Sequence, residues 1–325
     1  MHSSFQYDRT AGGRPAGARP WTAGGNPGGR PDQQRNDRGR GDVGDGVARQ
    51  PALKSKEFFP EVFSRHAAAY QQRLEDIMAN GEARGRTRVI ELAEARPGMR
   101  ILDLACGPGN LSRRLAATVA PDGEVVGVDL APGMIELAKH AGIPNARFQV
   151  MDVERLEFDD ASFDAAVCGH GLQFVPDLGR ALREACRVLR ASGRLAASVP
   201  VSLRAGSAWA TLDAVLDRWL PPAPKMTDQQ ATRNTVSDPA ALRQAALDAG
   251  FAAADIEVVA EEVHWESAAQ MVSMLMSWWD CASRLDGMDP SRRHAFMTDA
   301  VDSLSREHPG TIETSGRNLV LIARV

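Results

Sequence analysis

Between residues 100 and 130 the chain places several groups where they can hold a ligand. RILDLACGPGN ends a short apolar run and opens a helical pattern, with Gly107 and Gly109 at the turn. Lacking a β-carbon, these glycines let the backbone turn sharply and approach a ligand closely. The helix start that follows offers free N–H groups. About 20 residues on, a second apolar run ends in Asp129, with the reach to accept hydrogen bonds from ribose hydroxyls. A dinucleotide loop would carry a third glycine, but Ser112 stands at that position. Asp103 sits inside the strand, four residues before Gly107. A carboxylate there works against a pyrophosphate and suits an ammonium group. The loop therefore favours a nucleoside joined to an amino acid over a dinucleotide.

Other chemistry-bearing residues are sparse. His170, in GHG after a later apolar run, has an imidazole that titrates near neutral pH. It is the best general-base candidate, against a plain packing role. Gln173 in the same loop is placed to orient a polar group of a substrate. His264 reads as a structural histidine, and Asp160 and Asp164 as a solvated turn. The four cysteines (Cys106, Cys168, Cys186, Cys281) are scattered without metal-ligand spacing. No metal is expected.

The elements that must position these residues begin near residue 54. KEFFPEVFSRHAAAYQQRLEDIMANGEARGRTRVIELA reads as two helices. Short apolar runs follow at 100–105, 124–129, 147–151, 163–168 and 193–200, with helical stretches between several of them. The helix over 176–193 presents Leu178, Ala181, Leu182, Ala185, Val188 and Leu189 on one face, with Gly193 as its predicted stop. Continuous apolar strands alternating with helices predict an α/β fold with a parallel sheet covered on both faces. After residue 200 the rhythm breaks into insertions over about 201–237 and 266–310. Between them, Asp238 caps, Pro239 opens and Gly250 closes a helix, and a strand spans 256–265. Helices are expected over about 267–283 and 290–307, before a final strand, NLVLIARV. The segment MVSMLMSWWDCASRL reads as a lid over an apolar substrate, with plain core as its competitor. Adjacent Trp278 and Trp279 cannot share one helix face.

Composition sets the outer bounds. The 325 residues, net charge −4, give no bulk attraction to nucleic acid or anionic membrane. No apolar run is long enough to span a bilayer, and the cysteine usage suggests a reducing, cytoplasmic setting. Residues 1–52 form a Gly/Arg/Pro-rich tail expected to be disordered, ahead of one domain over 53–325.

The motifs together resemble the class I S-adenosylmethionine-dependent methyltransferases, closely over about residues 60–200. ILDLACGPG is similar to the family's first motif, although Ala105 stands where many members have a glycine. In VVGVDLAPGMIELAK, the resemblance implies that Asp129 holds the ribose while Leu130 and Met134 flank the adenine. FQVMDVERLEF places Asp152 and Val153 at the adenine edge. FDAAVCGHGLQFVPD resembles the fourth strand and its active-site loop, with Gly169 and His170 facing the methyl group. The same segment is similar to quinone-biosynthesis C-methyltransferases. The resemblance further implies a Rossmann-like, seven-stranded, mostly parallel sheet. An N-terminal helical extension would close over the cofactor, with His66 and Tyr70 on it and Tyr70 near the carboxylate end. The implied cofactor is S-adenosyl-L-methionine. The implied partner is a small, apolar or aromatic acceptor methylated at O or C, and a homodimer is left open.

Three other readings stand beside this one. A nicotinamide-dependent oxidoreductase would use the same loop, against which Asp103 and Ser112 argue. A non-catalytic S-adenosylmethionine-binding module would bind without turnover. A nucleic-acid methyltransferase lacks support, because no folded basic patch is evident and GHGL stands where base methylases carry an NPPY-type motif.

Overall fold

The structure is a computed structural model that describes residues 53–201 and 206–325. The tail over 1–52 lies outside the described residues. Three helices lead in: α1 (Ser55–Arg65), α2 (Ala67–Ala79) and α3 (Arg84–Leu92). The two helices read from the sequence are thus three, because the chain breaks at His66 (φ −105°, ψ 16°).

The α/β body follows: β1 (Arg100–Leu104), α4 (Asn110–Val119), β2 (Glu124–Asp129), α5 (Pro132–His140), β3 (Ala146–Val150) and β4 (Phe163–Gly169). After a 3₁₀ turn, Leu172–Phe174, come α6 (Leu178–Val188) and β5 (Leu189–Pro200). The last part holds α7 (Ser207–Trp219), α8 (Gln230–Val236), α9 (Pro239–Asp248), β6 (Ala253–Trp265), α10 (Ala268–Met276), α11 (Trp279–Leu285), α12 (Pro290–Glu307) and β7 (Ile312–Arg324).

The seven strands run β3-β2-β1-β4-β5-β7-β6. The first five pair in parallel, and β7 is antiparallel to both its neighbours. Successive side chains on a strand point to opposite faces, and the burial follows. Ile101, Val125, Ala165 and Ala196 pack under Leu74, Val89, Leu111 and Leu115 from α2, α3 and α4. Leu102, Val126, Ala166 and Leu195 pack under Leu182 and Leu242 from α6 and α9. Both faces are covered, which is why these strands are apolar throughout. A separate core forms beyond the sheet, where Leu212, Met271, Leu275, Phe296 and Leu304 join α7, α10 and α12.

Two helix ends differ from expectation. Gly193 is not a helix stop: α6 ends at Val188, and Leu189 already pairs with Phe163 in the sheet. The pairing then slips before Ala165 meets Arg194, and Gly193 sits in that bulge. A β-carbon there would lie 2.7 Å from the Arg190 carbonyl oxygen. The apolar Leu189 serves a helix face or a strand equally, so periodicity ran past the true end. The helix expected over 267–283 is split into α10 and α11, because Trp278 is extended (ψ 140°). Trp278 stacks on Trp209 at 5.0 Å, whereas Trp279 meets Phe59 at 5.1 Å. The break sends the adjacent indoles to different clusters. By contrast, the Asp238 carboxylate accepts from the Ala240 and Ala241 amides, with Pro239 opening α9 as its sequence requires.

Candidate active site

Parallel pairing puts the C-terminal ends of β3, β2, β1 and β4 side by side on one edge of the sheet. Ligands of open α/β sheets bind at that edge, beside the point where strand order reverses. Here the reversal lies between β1 and β4. A cleft opens there, lined by Tyr70, Ala105, Gly107, Asp129, Leu130, Met134, Asp152, Val153, Gly169 and His170. Ten of the twelve residues that the sequence assigned to the cofactor site or to proton transfer therefore meet in one place.

The loop after β1 is held by its own backbone and by Asp129. One oxygen of Asp129 accepts from the Gly107 amide, and the other from the Ala131 amide, both at 2.9 Å. Burial raises the pKa of this carboxyl, and the amide bonds partly oppose the rise. Gly107 takes φ +55°, and a β-carbon there would meet nothing nearer than the Tyr70 ring at 3.9 Å. The space above it is open to a ligand. Ala105 adopts φ +52°, a left-handed conformation that costs a non-glycine residue about 1 kcal/mol.

Two sequence-selected residues lie outside the cleft. Gly109 caps α4 at φ +83°, and a β-carbon there would sit 3.1 Å from Phe148. Its work is the turn into the helix. Asp103 lies behind the loop, fully buried, and accepts a 2.5 Å hydrogen bond from Ser112. Burial pushes its carboxyl up to about 7, despite the Ser112 bond. It borders a small recess shared with Arg86, Gly107, Asn110 and Gly169.

The N-terminal helices do cover the cleft, but through α1 residues that the sequence did not single out. Lys56, Phe59 and Phe63 project from α1 into the cleft. Lys56 donates to Asp152 and Glu154, each at 2.6 Å. Burial works against the lysine charge, but those two bonds outweigh it and raise the pKa. Phe59 and Phe63 contact Phe174 edge-on at 4.8 and 5.2 Å. The aromatic spacing on α1 was visible in EFFPEVF, but its partners Phe174 and Trp279, more than 100 residues away, were not. His66 faces Asp286 instead, at 3.3 Å. The α1 side chains leave about 120 Å³ open.

Behind the cleft lies a cavity of about 660 Å³, which meets it at Phe63, Tyr70, His170 and Phe174. Its walls include Trp209, Trp265, Met274, Trp278 and Trp279. Met271 and Leu275 instead face the insertion's core, so the Met/Trp segment supplies both wall and core. His170 stands at the junction with φ +67°. Its Nε2 is buried without a hydrogen bond, as are the Ser198 hydroxyl and the Asn318 amide atoms. Burial, then Arg86, hold its pKa well below the ordinary imidazole value, and the nearby Asn318 only partly opposes them. The ring is neutral at physiological pH. Gln173 lines the cavity and donates to the His170 carbonyl at 2.8 Å. His264 is half exposed, 4.0 Å from Glu313, on neither cavity. Asp160 and Asp164 pair with Arg187 and Arg190.

A methyltransferase-domain family model matches residues 102–197. The ubiquinone/menaquinone biosynthesis C-methyltransferase UbiE of Idiomarina loihiensis is 34% identical over 191 residues, 56% of this chain and 73% of the relative. The UbiE of Ectopseudomonas mendocina is 38% identical over 151 residues, 45% of this chain and 59% of the relative. A 2-phytyl-1,4-naphtoquinone methyltransferase of Nostoc is 38% identical over 141 residues, covering 42% and 61%. The chain thus spans about six-tenths of the length of the last two relatives. A phosphoethanolamine N-methyltransferase structure from Haemonchus contortus aligns at TM-score 0.49 and 16% identity, over 84% of this chain and 60% of that one. The chain belongs to the class I S-adenosylmethionine-dependent methyltransferases. Among the described residues, no helix is long and apolar enough to cross a membrane, and no cluster of metal-ligating side chains occurs.

Proposed function

We propose that the cleft binds S-adenosylmethionine and that the larger cavity holds a small, apolar or aromatic acceptor methylated at O or C. The observation that carries this reading is the placement of His170 between the two spaces, beyond a row of strand-end acids. The residues present suit the cofactor. Asp129 stands where ribose hydroxyls would reach it, Leu130, Met134 and Val153 offer apolar flanks, and Asp152 borders the same face. The buried Asn110 side-chain oxygen, unpartnered in the recess beside Asp103 and Gly107, offers a further acceptor.

When bound, S-adenosylmethionine supplies a methyl group already activated by a sulfonium. The protein's part is to align a nucleophile with it and exclude water. Phe59, Phe63 and Phe174 close the cleft with apolar surface. His170, held neutral, takes the proton that the acceptor's hydroxyl or acidic carbon gives up. Gln173 fixes the loop through the His170 carbonyl. Asn318, from β7, faces the imidazole and is available to orient it.

Incubating cell-extract fractions with methyl-labelled S-adenosylmethionine, followed by mass spectrometry, tests the reading. A labelled small molecule is expected, with its yield reduced at least tenfold by His170→Ala. Tight binding without any labelled product would instead favour a non-catalytic module.

A further inference from the structure

The larger cavity contains two arginines for which methyl transfer gives no task. Arg73, on α2, lies with its guanidinium 5.1 Å from the centre of the Trp278 ring. Its Nε is buried without a hydrogen-bond partner among the described residues. Arg86, on α3, is buried and donates to the Tyr70 hydroxyl at 3.2 Å. Neither guanidinium forms an ion pair among the described residues, and Arg73 feels Arg86 as its charged neighbour.

The cavity's acids are turned to other work. Glu261 accepts from the Gly85 amide at 3.0 Å. Glu82 lies near His264, and Asp280 stands in the first turn of α11. An unpaired buried charge is costly. Burial pushes the Arg73 pKa down to about 9, with Tyr70 opposing the fall and Arg86 adding to it. Two like charges facing one cavity are stabilised by an anion between them. A carboxylate suits them best, because a guanidinium fork grips it through two parallel bonds.

We propose that the acceptor carries a carboxylate on an aromatic body, the carboxylate gripped by Arg73 with Arg86 beside it. The aromatic body lies against the Trp and Phe walls of the cavity. This proposal rests on the reading of that cavity as the acceptor site. The cofactor's own amino-acid end is a second source of carboxylate. Arg86 borders the recess behind the glycine loop, whereas Arg73 lines the larger cavity and not that recess. Arg73 therefore separates the two sources.

The test titrates 2-naphthoate, 2-naphthamide and S-adenosylhomocysteine into the full chain, following tryptophan fluorescence. The wild-type protein should bind the acid about tenfold more tightly than the amide, as a charge-assisted pair would give. Arg73→Met should erase that preference and leave the S-adenosylhomocysteine affinity within about twofold, and Arg73→Lys should restore part of it. Equal or undetectable binding of acid and amide by wild type overturns the proposal, whatever the variants do. So does loss of S-adenosylhomocysteine binding in Arg73→Met with the acid preference intact, since Arg73 would then serve the cofactor. Failure of S-adenosylhomocysteine to bind wild type, with the acid preference present, would strike the methyl-donor reading and leave the anion site standing.

Discussion

The two cavities are built by different means. The cleft is made by topology: four parallel strands end on one edge, and each end delivers a residue, Ala105, Asp129, Asp152 or His170. The larger cavity is made by packing, from α2, α3, the antiparallel strands β6 and β7, and the helical insertion. Its walls come from residues more than 200 positions apart, such as Arg73 and Trp278. The strand ends are thus fixed by the sheet, whereas the larger cavity depends on how the helices and the insertion pack.

The sharpest separation should come from the insertion's core. Leu275→Ala and Met271→Ala, both fully buried, should each cost about 2–5 kcal/mol in chemical denaturation. Met274→Ala, on the cavity wall, should cost less. Cofactor affinity should stay unchanged in all three, and a parallel loss would couple the insertion's core to the cleft. Next in size is Gly171→Ala, where the new β-carbon would lie 2.5 Å from the Ala105 side chain and 2.8 Å from the Cys168 sulfur. Overpacking of this kind costs about 1–3 kcal/mol, and it should weaken S-adenosylhomocysteine binding while sparing the insertion.

The pH dependence of stability divides in the same way. Below about pH 6.5 the unfolded chain takes up a proton that folded His170 refuses. His170 therefore makes stability fall as the solution is acidified, by at most about 1.4 kcal/mol per pH unit. Asp103 acts in the opposite sense. Its carboxyl titrates near 7 when folded against an ordinary 3.8, so its contribution declines as pH rises between those values. His170→Gln should remove the first slope and Asp103→Asn the second, read by denaturation at fixed pH. If neither slope changes, the burial assigned to these groups is wrong. The smallest effect belongs to Lys56→Met. Its ammonium and Asp152 are partly solvent-exposed, and Glu154, though buried, keeps the Asp177 amide as a partner. Freeing α1 should speed S-adenosylhomocysteine association a few-fold in stopped flow, with little change in stability.

The cleft was legible in the sequence because strand ends can be counted. Apolar runs locate β1, β2 and β4, and the residue after each run falls at the sheet's edge whatever the helices do. The same count misled where apolarity served two structures, as at Leu189 and Gly193. The roles of Gly109 and Asp103 escaped for a different reason. Both sit within the motif, and only the three-dimensional turn separates the residues that line the cleft from those that support it. Lys56, Arg73 and Asn318 carried no signal, since their partners are distant in sequence. The tryptophan pair was read correctly as pointing two ways, but the helix break that permits it was not.

The central claim is that Asp129 and its neighbours at the strand ends form the seat of S-adenosylmethionine. Calorimetric titration of S-adenosylhomocysteine and NAD into wild type and Asp129→Ala tests it most directly. Wild type should bind S-adenosylhomocysteine and not NAD, and the variant should bind S-adenosylhomocysteine about 10- to 100-fold more weakly, the expected effect of losing charged hydrogen bonds. Undiminished binding by Asp129→Ala, or NAD binding of comparable strength by wild type, would contradict the account.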